Sequence, residues 1–259
     1  MFIVFNKSKI YSYLISLGTV VILFVMAFMF VNEDVLMQTS ASIKELPIYS
    51  VATKEKKIAF TINCAWEADD IDKILETLSK HNIHITFFIV GDFVDKYPEA
   101  VKKISEAGHE IGNHSNTHPH VNNLNLEKNI EEIQKCNEKI EKITGKKTTL
   151  YRGPYGEYND IVIRAAKSQN QETIQWNLDT LDYSGLTGNK MWERLENKLQ
   201  PGSIILAHSG TKHTADSLDM LLTNIEQNGY KIVTVSELIY KENYYIDVNG
   251  IQRINIKSE

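Results

Sequence analysis

The chain is expected to be an α/β protein, a (β/α) barrel preceded by one N-terminal membrane-spanning helix. Two observations lead there: an uncharged 22-residue run near the N-terminus, and a regular alternation, from Lys57 onward, of short β-prone segments with amphipathic helical ones. Short strands each followed by a helix build a parallel sheet wrapped by helices. Their number suits a barrel better than a small doubly wound sheet, and 259 residues accommodate it.

The uncharged run is IYSYLISLGTVVILFVMAFMFV, Ile10 to Val31. At about 1.5 Å per helical residue it is long enough to cross a hydrocarbon core. Lys7 and Lys9 precede it, and Glu33 and Asp34 follow it. The basic flank therefore stays in the cytoplasm, and everything after residue 32 lies outside. A cleaved secretory signal has a shorter apolar region ending at small residues, and QTSAS at 38–42 is a weak cleavage site. The expected organisation is a cytoplasmic N-terminus (1–9), a retained single-pass anchor (10–31), a polar stalk (32–54), an extracytoplasmic domain (55–241) and a polar tail (242–259).

Within the domain, KIAFTIN (57–63) reads as a strand, and DDIDKILETLSKHN carries Ile71, Ile74, Leu75 and Leu78 at helical spacing. ITFFIV (85–90) is a buried strand ended by Gly91 and Asp92. VDKYPEAVKKISEAG is one helix stopped at Gly108, and LEKNIEEIQKCNEKIEKITG is a long amphipathic helix closed by Gly145. TTLYR, ETIQWNL, GSIILAH and YKIVTV supply four more strands, with helices near 159–168, 188–199 and 214–228.

Composition narrows the partners. Lys and Arg total 28 against 33 Asp and Glu, a net charge of -5 with no basic block, so nucleic acid is excluded. Nine Phe and twelve Tyr supply a sizeable core, and two cysteines, Cys64 and Cys136, make no disulfide framework.

The polar residues that follow the strands carry the chemistry, because barrels of this kind place their sites at the carboxyl ends of strands. Asn63-Cys64, His114 and His118, Arg152-Gly153-Pro154-Tyr155, Asp179 with Asp182, and His208 all stand there. Two imidazoles four residues apart can close on a divalent ion, which needs at least a third protein ligand. Taken together, GHEIGNHSNTHPH, RGPYG, DTLDY and LAH resemble, in order, the His-Ser/Thr-x-x-His, Arg-x-Pro-Tyr, Asp-x-x-Asp-Trp and Leu-x-His motifs of the polysaccharide deacetylase family. The resemblance covers roughly residues 55–241 and implies a distorted (β/α) barrel. It implies a divalent metal, often zinc, that polarises an acetamide carbonyl and acidifies a bound water. A carboxylate then takes the water's proton and a histidine protonates the leaving amine. By the same resemblance His114 and His118 are metal ligands, His208 is the general acid, and Arg152 and Asp179 orient the base and the acid. Pro154, Tyr155, Asp182, Tyr183 and Leu206 fall on the substrate side.

The first family motif departs. Where the family has Thr-Phe-Asp-Asp, this chain reads Thr61-Ile62-Asn63-Cys64. Asn63 stands at the base position, and an amide oxygen is too weak a base to serve. Cys64 stands at the third metal position, where it is either a thiolate ligand or a small apolar core residue. Glu67, Asp69 and Asp70 lie just beyond, the candidates for a replacement base, and suit better the start of the following helix as caps. Trp66 would sit at the mouth, able to stack on a sugar, and Tyr183 replaces the family's Trp. A degraded first motif beside an N-terminal anchor resembles the sporulation-associated branch of Gram-positive spore formers. The expected function is a membrane-anchored, metal-dependent deacetylase of peptidoglycan or another N-acetylated glycan; the alternative is a glycan-binding protein that kept the groove after losing the base.

Overall fold

The computed structural model describes residues 7–38 and 45–255. They belong to two units, Met1–Lys44 and Glu45–Glu259. In the first, helix α1 spans Lys7–Gln38 and encloses the whole uncharged run; its apolar side chains Val21, Leu23 and Phe24 are exposed. Among the described residues no helix is long and apolar enough to cross a membrane, so the expected span rests on the sequence.

The second unit is built on a curled parallel sheet. In chain order its elements are β1 (Ser50–Val51), β2 (Lys57–Cys64), α2 (Ile71–Lys80), β3 (Thr86–Ile89), α3 (Gly91–Lys96), α4 (Pro98–Glu106), β4 (Glu110–Asn113), α5 (Leu126–Thr144), β5 (Leu150–Tyr151), α6 (Asp160–Ser168), β6 (Glu172–Thr173), β7 (Leu178–Asp179), α7 (Gly188–Leu195), β8 (Ile204–His208), α8 (Thr214–Gln227), β9 (Lys231–Val233), α9 (Val235–Leu238), β10 (Tyr244–Ile246) and β11 (Ile251–Ile254). The large sheet runs β6-β5-β4-β3-β2-β8-β7, with β9 against the start of β2. Its path is open between β6 and β7, so the expected barrel is a curled sheet rather than a closed ring. β2 is the central strand, buried at every residue after Lys57. Its register sets Asn63 opposite Phe88 of β3 and His208 of β8.

Successive strand residues face opposite sides, and β2 obeys this strictly. Ile58, Phe60, Ile62 and Cys64 pack outward with Ile74 and Leu78 of α2 and with Leu218 and Leu222 of α8. Ala59 joins an inner cluster with Phe88, Ile174 and Ile204. Thr61 and Asn63, next along that inner face, reach the polar end of the curl.

Four elements differ from the sequence reading; the first is β4, Glu110–Asn113, where no strand was expected. The helix expected over 94–108 is two, because Pro98 bars its neighbour from helical geometry: Tyr97 sits at φ -131 and ψ 53. ETIQWNL is two dipeptide strands separated by Ile174–Asn177, which frees Trp176 to turn toward the groove. The expected polar tail is a hairpin, β10 antiparallel to β11, and β11 pairs in parallel with β1 from the expected stalk. Ile48, also in the stalk range, is fully buried.

Candidate functional site

The carboxyl ends of the strands converge on a cavity of about 350 Å³. Asn63, His114, His118, Asp179, Leu206 and His208 all line it, together with Trp66, Tyr155, Trp176 and Tyr183. The structure therefore brings together most of the polar groups picked out in the sequence.

One side of the groove is a histidine–carboxylate pair. His208 Nδ1 lies 2.8 Å from Asp182 Oδ1, and the His208 backbone N–H donates to Asp182 Oδ2 at 2.6 Å. Thr214 Oγ1 donates to the same oxygen at 2.6 Å. Burial alone would lift the Asp182 carboxyl, but the bonds from His208 and Thr214 together hold it below its ordinary range. A carboxylate can only accept, so Nδ1 carries a proton and the tautomer is fixed. This corrects the expected role of Asp179. That carboxylate accepts from the Leu181 backbone N–H at 2.8 Å, whereas Asp182, placed by resemblance on the substrate side, is the residue that orients His208.

The other side is an amide wedged between a cation and an imidazole. Asn63 Oδ1 accepts from Arg152 Nη1 at 2.9 Å, and Asn63 Nδ2 lies 3.2 Å from His114 Nε2. His114 Nδ1 lies 2.7 Å from the Arg152 carbonyl oxygen, which can only accept, so Nδ1 holds the proton and Nε2 presents its lone pair to the Asn63 amide. Burial, then the neighbouring His118 charge, push the His114 pKa well below the ordinary value. The imidazole is thus neutral, as this geometry requires.

Arg152 is fully buried. Its guanidinium donates to Thr61 Oγ1, Asn63 Oδ1 and the carbonyls of Ile174 and Gln175, and it lies 4.0 Å over the Phe88 ring. All these acceptors are neutral. Burial brings its pKa down to about 9, with Asp179 acting the other way at longer range.

A divalent metal does not fit this donor set. Among the described residues, no three His, Cys, Asp or Glu side chains come together as a metal-holding group. The lone pair that His114 would give an ion accepts from an amide N–H. Cys64, one residue from Asn63 and hence on the opposite face of β2, is fully buried in the layer between sheet and helices. Burial raises its thiol to about 12, so it is no thiolate. Of the two readings open for Cys64, the structure selects the small core residue. His118 reaches the cavity rim, its ring edge-on to His114 at 5.1 Å.

Aromatic rings make the walls. Trp66, 45% exposed, stacks on His208 with centroids 5.2 Å apart, and Tyr183 meets the same imidazole edge-on at 5.3 Å. Opposite, Tyr155 touches His118 edge-on and stacks on His120 at 4.3 Å. Tyr155 has φ 58, a left-handed conformation that turns its ring out to 60% exposure, while Pro154 is buried behind it. Of the acidic residues past the first motif, Glu67 pairs with Lys96 at the surface. Asp70 makes no side-chain cap; it accepts from the Gly210 backbone N–H at 2.9 Å, and burial raises it to about 6. Trp176 and Thr214 escaped the sequence reading, Trp176 because it lies inside an apparently continuous strand and Thr214 because nothing distinguishes a threonine opening a helix.

Comparison with known proteins gives a consistent set. The polysaccharide deacetylase profile matches residues 50–174. The uncharacterized protein YlxY of Bacillus subtilis (strain 168) is 36% identical over 76% of this chain and 62% of its own length, so this chain spans less than two thirds of that relative. Peptidoglycan-N-acetylmuramic acid deacetylase PdaA of the same strain is 32% identical, over 73% of this chain and 74% of PdaA. Among solved structures, a wild-type CE4 family pseudoenzyme from Bacillus anthracis superposes with a TM-score of 0.72 at 35% identity, over 74% of this chain and 68% of that one. A mutant of that pseudoenzyme with restored enzymatic activity gives the same TM-score and identity, over 74% and 70% of the two chains.

Proposed function

Because the chain belongs to the polysaccharide deacetylase family, we propose that it is a deacetylase-like protein whose groove binds N-acetylated sugars of the cell envelope, peptidoglycan foremost, with little turnover. The single observation that carries this reading is the Asn63 amide, held between Arg152 and His114 where a base and a metal would have to act. An amide oxygen already accepting from a guanidinium abstracts no proton from water. The aromatic walls around the cavity suit a sugar, whose apolar ring faces pack on aromatic rings while polar groups fix orientation.

A second reading, a slow hydrolase of carbon–nitrogen amide bonds, is favoured by the His208–Asp182 pair, which keeps a general acid in place. One experiment separates the two: titration of the full chain with an N-acetylglucosamine tetramer, alongside measurement of acetate release. Saturable binding without acetate supports the first reading, steady acetate release the second. Absence of binding removes both.

The same proposal places the groove outside the cell, on a single-pass anchor, in a Gram-positive envelope or forespore. The charge asymmetry around the uncharged run supports that topology. Protease added to intact protoplasts should digest the domain; full protection would reverse the assignment.

A further inference from the structure

We infer that Glu132, on the first half of α5, is a positioning residue that aims His118 into the groove. Glu132 does not line the cavity. It reaches instead the turn Ser115–Thr117 that joins the two histidines, and one carboxylate takes four hydrogen bonds there. Oε2 accepts from Ser115 Oγ at 2.7 Å and from the backbone N–H groups of Asn116 and Thr117, each at 2.9 Å. Oε1 accepts from Thr117 Oγ1 at 3.0 Å.

The turn needs this support. Ser115 has φ 68 and His118 has φ 56, so two non-glycine residues, one of them the histidine itself, sit in left-handed conformations that ordinary side chains disfavour. Its carbonyls are tied on the other side: Gly91 N–H donates to Ser115 O at 3.0 Å and Asp92 N–H to Asn116 O at 2.8 Å. The approach is so close that a Cβ at Gly91 would meet Asn116 Oδ1 at 2.3 Å. Its backbone donors go to two side chains, the Ser115 N–H to Asn113 Oδ1 and the Asn116 and Thr117 N–H groups to Glu132 Oε2. Ser115 and Asn116 are buried, so without Glu132 their freed donors would have no water to turn to and the turn would relax. His118, at its end, would swing from its contacts with His114 and Tyr155.

The inference rests on reading the His114–His118 segment as a working wall of the groove, and its primary test uses no glycan. Imidazole ¹H–¹⁵N correlation spectra of the full chain in detergent should show displaced or broadened His118 signals in Glu132→Ala. Affinity for the N-acetylglucosamine tetramer should fall by about tenfold or more, as expected when a contacting group is misplaced by around an ångström. Glu132→Gln keeps an acceptor oxygen for the two backbone donors and should restore both readouts. Glu131→Ala, which breaks only an exposed pair with Lys135, should move neither. A displaced His118 with unchanged tetramer affinity would sustain the inference and count against the glycan reading. Should Glu132→Ala not fold, Ser115→Ala with Thr117→Val removes both hydroxyl bonds while leaving the backbone bonds, and must still displace His118. Wild-type imidazole signals in whichever of these variants folds would overturn the inference.

Discussion

The two sides of the groove offer different chemistry. Around His208 stand an imidazole of fixed tautomer and a buried carboxylate whose two oxygens each accept two hydrogen bonds. Around Asn63 stands a neutral amide between a cation and an imidazole. An amide has nearly the shape of a carboxylate, so it still fills the space between Arg152 and His114, but it turns one acceptor into a donor. The contrast teaches that packing and reactivity are separable. A carboxylate and an amide of nearly the same shape can fill the same buried place when their polar atoms find partners, but only the carboxylate can take a proton.

The sharpest way to break this contrast is Asn63→Asp. It restores an ion pair with Arg152 and removes the amide donor from His114. Acetate release from an N-acetylglucosamine tetramer should rise by about 10²–10⁴-fold, the usual worth of a positioned general base. No rise would mean that the defect of this side extends beyond residue 63. Cys64→Asp is expected to add nothing, because residue 64 faces the core, where a new carboxylate beside Asp70 would cost about 3 kcal/mol or more.

Next in size is Arg152→Met. Among the described residues no carboxylate lies within hydrogen-bond reach of Arg152, yet Thr61, Asn63 and the carbonyls of Ile174 and Gln175 all depend on it. Chemical denaturation should show a loss of about 3 kcal/mol or more from orphaned buried acceptors. A neutral result would mean that the cation is dispensable without its missing counter-charge.

The two sides should also fail at different pH. Burial keeps the pKa of His114 and His118 below the ordinary histidine value and brings His109 to about 4. A histidine with a depressed folded pKa gains protons on unfolding. Its stabilising effect is therefore present above the unfolded pKa of about 6.5 and is lost as pH falls below it, by up to about 1.4 kcal/mol per pH unit for each such group. Asp70, raised to about 6, has the opposite sign and offsets one histidine between about pH 6 and 4. Asp182, held low, begins to lose its contribution only below about pH 4. Melting temperature should drop between pH 7 and 5, and His114→Gln should flatten that drop, while Asp182→Asn should change the profile only at lower pH.

The smallest expected effect is that of Trp66→Ala. Losing one stacking face should weaken tetramer binding by about 1 kcal/mol, five- to tenfold, with little change in melting temperature. An unchanged affinity would place the sugar on the Tyr155 wall alone.

The α/β alternation and the strand-end clustering of Asn63, His114, Arg152 and His208 were legible in the sequence, because strand and helix periods and the direction of parallel strands dictate both. The partner of His208 was not. Asp179 and Asp182 follow the same strand, and only the path of the turn after β7, with Leu181 left-handed at φ 53, decides which carboxylate reaches the imidazole. The fate of Cys64 was half legible: strand alternation says that it opposes Asn63, but not which of the two faces inward. Least legible were the β10–β11 hairpin, whose partner β1 lies some 200 residues away in the sequence, and Glu132, one of several glutamates on a helix of ordinary amphipathic pattern.

The clasp between the first and last strands of the domain has a mechanical consequence. From Ile48 to Ala52 the incoming chain is stitched to three separate places: Ile48 to Thr173 and Gln175, Tyr49 and Ala52 to Gly250 and Gln252, and Val51 to Gly202. Tension arriving along the chain from residue 45 would load these bonds together rather than one after another. Gln175, whose N–H holds Ile48, also gives its carbonyl to Arg152. A pull on the N-terminal side therefore loads Gln175 directly, whose carbonyl is one hydrogen bond from Arg152 and, through it, two from Asn63.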